Sequence, residues 1–416
     1  MYPFSISFAT TSDISNQNVF AIFFGIFCTI FADQHPNPIA VCSNKHSLTM
    51  KIAILGTRGI PNQYGGFEQF AQYLSQGLAE FGVEVWVYNS HDHPHKGEKW
   101  NGVNIIHCFD PEYAIGASGQ FIYDLNCILD SRKRNFDIIL QLGYTSSTIW
   151  HWLMPSKSLI VTNMDGLEWK RSKYSTPIKH FLKHAERLAV KSSDLLIADS
   201  EAIQEYLRDA FAVDAEYIPY GAKIFTEKRS ETLKNLKLEP FRYFLLIARM
   251  QPDNHVEEII KGVINSATDY PLIIIGNTQN GHGKYLKKRY SDLRIRFIGS
   301  IYDEMLLNQL RFHCACYFHG HSAGGTNPSL LEAMAASAFI CAHLNPFNLS
   351  VLKENALYFS GENEVTDTIK RRLFLEKRDV FIQGNLKRIE EKYRWDNIIN
   401  SYFECFKALL KLKYQD

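Results

Sequence analysis

Ala315-Cys316-Tyr317-Phe318 runs directly into His319-Gly320-His321-Ser322-Ala323-Gly324-Gly325-Thr326-Asn327-Pro328-Ser329-Leu330-Leu331-Glu332-Ala333-Met334-Ala335. This reads as a short apolar strand, a glycine-rich loop and a helix. Ser322, Thr326, Asn327 and Ser329 are all able to cap, and Pro328 suits a first helical turn. Leu330, Leu331, Met334 and Ala335 then supply one apolar face. Such a loop turns bare backbone N–H groups and the positive end of a helix dipole toward whatever lies in front of it. That suits an anion, above all a phosphate. Glu332, one turn inside, is placed for a carboxylate grip on a sugar diol. The plain alternative is a tight turn capping a core helix, and the rest of the chain decides against it.

The same order of elements opens the chain from residue 50. Lys51-Ile52-Ala53-Ile54-Leu55 leads into Gly56-Thr57-Arg58-Gly59-Ile60-Pro61-Asn62-Gln63-Tyr64-Gly65-Gly66-Phe67-Glu68, and a helix follows over about 66–81. This loop is not Gly-x-Gly-x-x-Gly and no Lys-Ser/Thr follows, so neither a dinucleotide fingerprint nor a P-loop fits. Gly65-Gly66 still permits close backbone approach to a ligand. Glu68 fits either a ligand contact or a first-turn carboxylate favoured by the dipole. Further short apolar strands read at 84–89, 103–107, 137–142, 158–163, 195–199 and 215–218. The polar stretch 224–240 breaks the pattern and is the best linker candidate. A second unit follows, with strands at 243–248, 272–276, 295–298, 315–318 and 339–342. Strands alternating with helices imply parallel sheets covered on both faces. The fold class is therefore α/β, with two doubly wound, Rossmann-like halves and a seam near 235. Ligands of such sheets bind beyond the carboxyl ends of the strands, and each half places a glycine-rich loop there.

The 416 residues, 46% hydrophobic and 21% charged, suffice for about two domains with full cores. The formal charge of +1 gives no general pull toward nucleic acid. Eight cysteines show neither disulfide-like nor zinc-like spacing and read as reduced thiols of a cytosolic protein. His91-Asp92-His93-Pro94-His95 reads as a solvated loop, and no metal site is expected. The apolar run from Val19 to Ala32 is short for a membrane span. No Lys or Arg precedes Lys45, as a secretory signal would require. Met50 looks like a natural start, so residues 1–49 are expected to be a leader that is disordered or not native, with a membrane anchor as the alternative.

Three more positions carry chemistry. Asp165, in Ile160-Val161-Thr162-Asn163-Met164-Asp165-Gly166-Leu167-Glu168-Trp169-Lys170-Arg171, stands just past a strand. It reads as an acceptor or sugar contact and a candidate general base, or as a turn Asp before Gly166. Arg249 ends the first strand of the second half, where it pairs with an acid or forks onto diphosphate oxygens and stabilises charge on a leaving group. The basic amphipathic stretch 177–191 is an ordinary packed helix or a contact with an anionic membrane surface.

With these elements in order, the chain resembles a GT-B glycosyltransferase of family 4, in the subgroup similar to rhamnosyltransferases of bacterial capsule and O-antigen assembly, with a DUF1972-type N-terminal domain. The phrases GTRGIPNQYGGFE, TNMDGLEWKR, ARMQPDN and HGHSAGGTNPSLLEAMA carry the resemblance, which runs from about Met50 to the C-terminus. It implies residues 50–235 as the acceptor-side domain, 236–392 as the nucleotide-sugar domain and 393–416 as a helix crossing back to brace the N-terminal half. It implies Gly65, Gly66, Arg249, Asn254, Gly325, Thr326, Asn327 and Glu332 at the donor, with Arg249 on the diphosphate and Glu332 on the ribose. It further implies Glu68, Asp165 and Glu168 in positioning sugar or acceptor, and Asp165 with Arg249 in catalysis.

Three departures from the family pattern stand out. The first Glu of the family's Glu-x7-Glu motif falls on Gly324, the usual phosphate lysine on Asn254, and the usual N-domain histidine on Asp165. The implied activity is retaining, metal-independent transfer of a hexose such as rhamnose, with dTDP-rhamnose as the implied donor, without a cofactor. The implied acceptor is a growing cell-surface polysaccharide or lipid-linked glycan. A cytoplasmic place, extending to the inner face of the membrane, goes with it. A nucleotide-sugar-binding protein without catalysis and a sugar-nucleotide epimerase of the same architecture remain as alternatives.

Overall fold

The structure, a computed structural model, describes residues 50–63 and 65–415. The leader of the sequence reading lies outside the described residues. Among those described, no helix is long and apolar enough to cross a membrane.

Among the described residues, fourteen strands fall into two sheets. The first contains β1 (Lys51–Leu55), β2 (Glu84–Ser90), β3 (Lys99–Trp100), β4 (Val103–Cys108), β5 (Ile138–Leu142), β6 (Leu159–Asn163), β7 (Leu195–Ala198) and β8 (Glu216–Tyr217). Their order is β3-β4-β2-β1-β5-β6-β7-β8, parallel except for the β3–β4 pair. The second contains β9 (Phe244–Ile247), β10 (Leu272–Ile275), β11 (Ile295–Gly299), β12 (Cys316–His319), β13 (Ile340–His343) and β14 (Leu357–Phe359). Their order is β11-β10-β9-β12-β13-β14, with every pair parallel. Strands such as Phe244-Leu245-Leu246 are apolar on both sides because helices cover both faces. Ile52 and Ile54 enter one core cluster, and Ala53 and Leu55 enter the cluster on the opposite face, as a period of two requires.

Each sheet reverses direction once. The chain leaves β1 toward β2 and β4, then returns to β5 on the other side of β1. It leaves β9 toward β10 and β11, then returns to β12 on the other side of β9. Diverging loops at such a reversal leave a crevice beyond the carboxyl ends of the strands. The loops bordering these two crevices hold Gly56–Glu68 in one half, and Arg249 and the 320–327 loop in the other.

The segment 224–240 is not a free linker. Phe225 N–H donates to the Ala335 carbonyl at 3.0 Å, Arg229 N–H to Gln309 Oε1 at 2.9 Å, and Leu233 and Leu238 are buried. The chain crosses between the halves near Ala222, earlier than the expected seam. It crosses back beside the same point, where Ala222 N–H donates to the Tyr393 carbonyl at 2.7 Å. The helix Trp395–Lys413 then lies on the helix Gly66–Glu80 of the first half. Trp395 stacks on Tyr73 at 4.7 Å, and a Cβ on Gly77 would meet Ile399 at 2.3 Å.

Candidate functional site

The two glycine-rich loops meet across the cleft. A Cβ on Gly66 would lie 3.3 Å from Pro328 Cγ, so the N-terminus of the helix Gly66–Glu80 abuts that of the helix Pro328–Ala335. Asn327 caps the latter, its Oδ1 accepting Ser329 N–H at 2.9 Å. Gly65 precedes the first helix, close to Glu68 of the same turn. Gly166 touches Gly324 backbone to backbone, and a Cβ there would be 2.2 Å from the Gly324 Cα.

Asp165 stands beyond β6 with φ +48° and donates its N–H to Asn163 Oδ1 at 3.0 Å. Its carboxyl is pushed above the usual carboxylate range, first by desolvation and then by Glu168, while Arg171 and Arg249 pull it back. Glu168 Oε1 faces Arg171 Nε at 2.6 Å, both side chains largely buried. Arg249 follows β9 and is exposed at the cleft, its charge felt by both Asp165 and His321. Cations from opposite halves, Arg171 and Arg249, thus border one carboxylate and one glycine loop.

Residues 49–223 match a family described as a domain of unknown function, DUF1972. This is the first sheet and its helices. No curated protein matches the sequence. Among solved structures, sucrose-phosphate synthase from Thermosynechococcus elongatus superposes with a TM-score of 0.74 at 16% identity, over 87% of this chain and 100% of that one. HepE from Anabaena, solved with UDP and glucose, gives 0.67 at 16% identity over 86% and 100%. The trehalose-6-phosphate synthase of Burkholderia multivorans gives 0.66 at 11% identity over 88% and 98%. The fold is GT-B.

In this GT-B cleft some of the expected site residues are committed to the protein itself. Glu68 is buried, and its Oε1 accepts Arg58 N–H at 2.9 Å and Thr57 Oγ1 at 3.3 Å, so it ties the first loop to its own helix. Asn254 is likewise buried, its Nδ2 donating to the Arg249 carbonyl at 2.7 Å and its Oδ1 meeting His321 Nδ1 at 3.0 Å; it shapes the Arg249 loop. Thr326 turns both its polar groups to the other domain. Its N–H donates to Asp199 Oδ2 at 3.0 Å and its hydroxyl to the Asp199 carbonyl at 2.6 Å. Gly325 has no Cβ because one would lie 1.9 Å from Asp199 Oδ1. Glu332 is gripped by Arg311 and accepts from Gln69 Nε2 at 2.6 Å, so it bridges the domains.

Sequence reasoning passed over Arg171, Asp199, His321, Gln69 and Arg311. Arg171 stood inside a quoted phrase, three residues after Glu168, a helical spacing for an ion pair. Asp199 ends a strand at the cleft as Asp165 nearly does, and its carboxyl is pushed well up by desolvation and then by Asp165. The histidines of the 91–95 segment spend ring nitrogens on backbone: His93 Nε2 pairs with the Pro61 carbonyl at 3.1 Å and His95 Nε2 with the Lys99 carbonyl at 3.2 Å.

Proposed function

We propose that this protein transfers a sugar from a nucleoside diphosphate donor to an acceptor hydroxyl. The observation that carries the reading is the convergence at the cleft. Arg249 beyond β9 and the glycine loop beyond β12 are faced by Asp165 and Arg171 beyond β6. Cations and a helix N-terminus placed where charge develops on a departing diphosphate stabilise that charge without reorganisation. The GT-B likeness supports the same reading, since HepE was solved with UDP-glucose.

The finer reading is retaining transfer that needs no metal. The bond from the anomeric carbon to the diphosphate oxygen breaks and its electron pair leaves with the phosphate. The acceptor oxygen bonds to that carbon on the same face, and its proton passes to the departing phosphate oxygen. Arg249 and Arg171 supply the positive charge, and Asp165 positions acceptor or sugar. The phrases quoted above support a hexose such as rhamnose as cargo, with dTDP-rhamnose as donor, and a cell-surface or lipid-linked glycan as acceptor. A lipid-linked acceptor would draw the protein to the inner face of the cytoplasmic membrane, where the exposed Lys183 and Arg187, one turn apart on the helix Thr176–Ser192, would face it.

Thermal melts of wild type and Arg249→Ala with UDP, dTDP, GDP, ADP and CDP, with and without EDTA, test the donor site. A specific diphosphate should raise the melting temperature by mass action regardless of EDTA, and Arg249→Ala should lose the effect. Diphosphate release from the sugar conjugate should then depend on an acceptor. Binding without turnover would make the protein a nucleotide-sugar-binding protein, and conversion of the donor without an acceptor an epimerase. If no nucleotide shifts the melt, the cleft is not a donor site.

A further inference from the structure

Gly324 carries no side chain and has φ +122°, and two polar groups converge beside it. A Cβ there would lie 3.1 Å from His321 Nε2 and 3.7 Å from Arg171 Nη2. The His321 ring is oriented from its other side. Asn254 Nδ2 donates to the Arg249 carbonyl, which fixes which end of the amide is which and presents Oδ1 to His321 Nδ1. An amide oxygen only accepts, so Nδ1 carries the proton and Nε2 keeps its lone pair. Among the described residues no hydrogen bond reaches Nε2. Burial first, and then His319, Arg171, Arg249 and His255, hold the imidazole well below the usual histidine range and therefore neutral.

A neutral acceptor set between cations of both domains is an unusual local arrangement. The cations favour an anion nearby, but a lone pair repels one and calls for an O–H donor. A diphosphate held at Arg249 carries its own source of hydroxyls, the attached sugar. We infer that His321 Nε2 accepts a hydrogen bond from a hydroxyl of the donor sugar, with Arg171 Nη2 beside it, so that residue 321 reads the sugar across the bare backbone of Gly324. This rests on the nucleotide-sugar reading above. It makes His321 a specificity-determining residue that separates a donor bearing that hydroxyl from its deoxy analogue.

Isothermal titration of the full chain tests it. For each base that binds, the ratio of Kd for the bare diphosphate to Kd for its glucose, galactose and rhamnose conjugates measures what the sugar adds. His321→Ala should lower the best ratio roughly threefold to tenfold, the value of one neutral hydrogen bond, with bare-diphosphate affinity held within about twofold. Arg249→Ala should weaken both ligands alike. The wild-type protein offers a second readout that survives a misfolded variant. With 15N-labelled histidine, the His321 Nε2 resonance should move on adding the sugar conjugate and stay in place with the bare diphosphate. Diphosphate binding with an unchanged ratio or an unmoved Nε2 overturns the inference and leaves the transferase reading standing. Failure of all five diphosphates to bind overturns both.

Discussion

Replacing Gly166 by alanine sets a methyl group 2.2 Å from the Gly324 Cα and 2.7 Å from the Gly325 nitrogen. Gly166 does not have a positive φ, so alanine costs nothing in its own backbone and the whole effect is the collision. Carbon atoms in contact sit about 3.6 Å apart, so the two loops must separate by roughly 1.4 Å. Both partners are backbone, and neither can rotate aside. The least costly response is to open the cleft, which strains the Thr326–Asp199 and Ser172–Asp253 hydrogen bonds across it. A misplacement of about 1 Å at reacting groups costs on the order of a hundredfold in rate, so kcat/KM for the donor should fall by about that factor. Neither sheet's core is touched, and the melting temperature without ligand should change little. Steady-state kinetics, a thermal melt and small-angle scattering on the same sample check the three parts. A Gly166→Ala protein with kcat/KM within about threefold of wild type and an unchanged radius of gyration would refute the reasoning, because the closed contact would then play no part in turnover.

Asp124 is buried against Ser146, and burial pushes its carboxyl up to about 7 from an ordinary value of 3.8. Its folded-state pKa is raised, so its stability contribution is present below about pH 4 and lost as pH rises through 7. Urea unfolding should show stability falling over that interval by at most about 1.4 kcal/mol per pH unit from this group, and Asp124→Asn should remove that slope. Trp395→Ala removes the ring stacked on Tyr73 and packed under Gly221 and should cost about 3–5 kcal/mol in chemical denaturation. Arg311→Met leaves the Glu332 carboxylate without its buried partner and should destabilise the protein by about 3 kcal/mol in the same assay, where a lone surface charge change would cost well under 1 kcal/mol.

Much of the architecture was readable because buried parallel strands are short continuous apolar runs, and Phe244–Ile247 and Leu272–Ile275 admit little else. The 224–240 stretch reads as a linker for a physical reason. Phe225, Leu233 and Leu238 are buried in a stretch dominated by charged and polar residues, so its composition reads as a solvated linker where one face packs. The site divides in a similar way. Loops beyond strands announce a ligand crevice, which is why Asp165, Arg249 and the 320–327 loop were singled out. Where a polar side chain spends its hydrogen bonds is a matter of three dimensions. Asp199 and Thr326 are 127 positions apart and Gln69 and Glu332 are 263 apart, and no periodicity links such pairs. Glu68 and Asn254 had the right residue types in the right loops, and only their partners show that they build those loops.

The return of the helix Trp395–Lys413 to the first half has a consequence for how the protein is made. Emerging from the ribosome, the first sheet can assemble long before that helix exists. Until then the Gly66–Glu80 helix lacks the cover that Trp395, Ile399 and Tyr402 give to Phe70, Tyr73 and the groove at Gly77, and an apolar strip of that kind is prone to aggregation. The half that is synthesised first is therefore the half that is finished last.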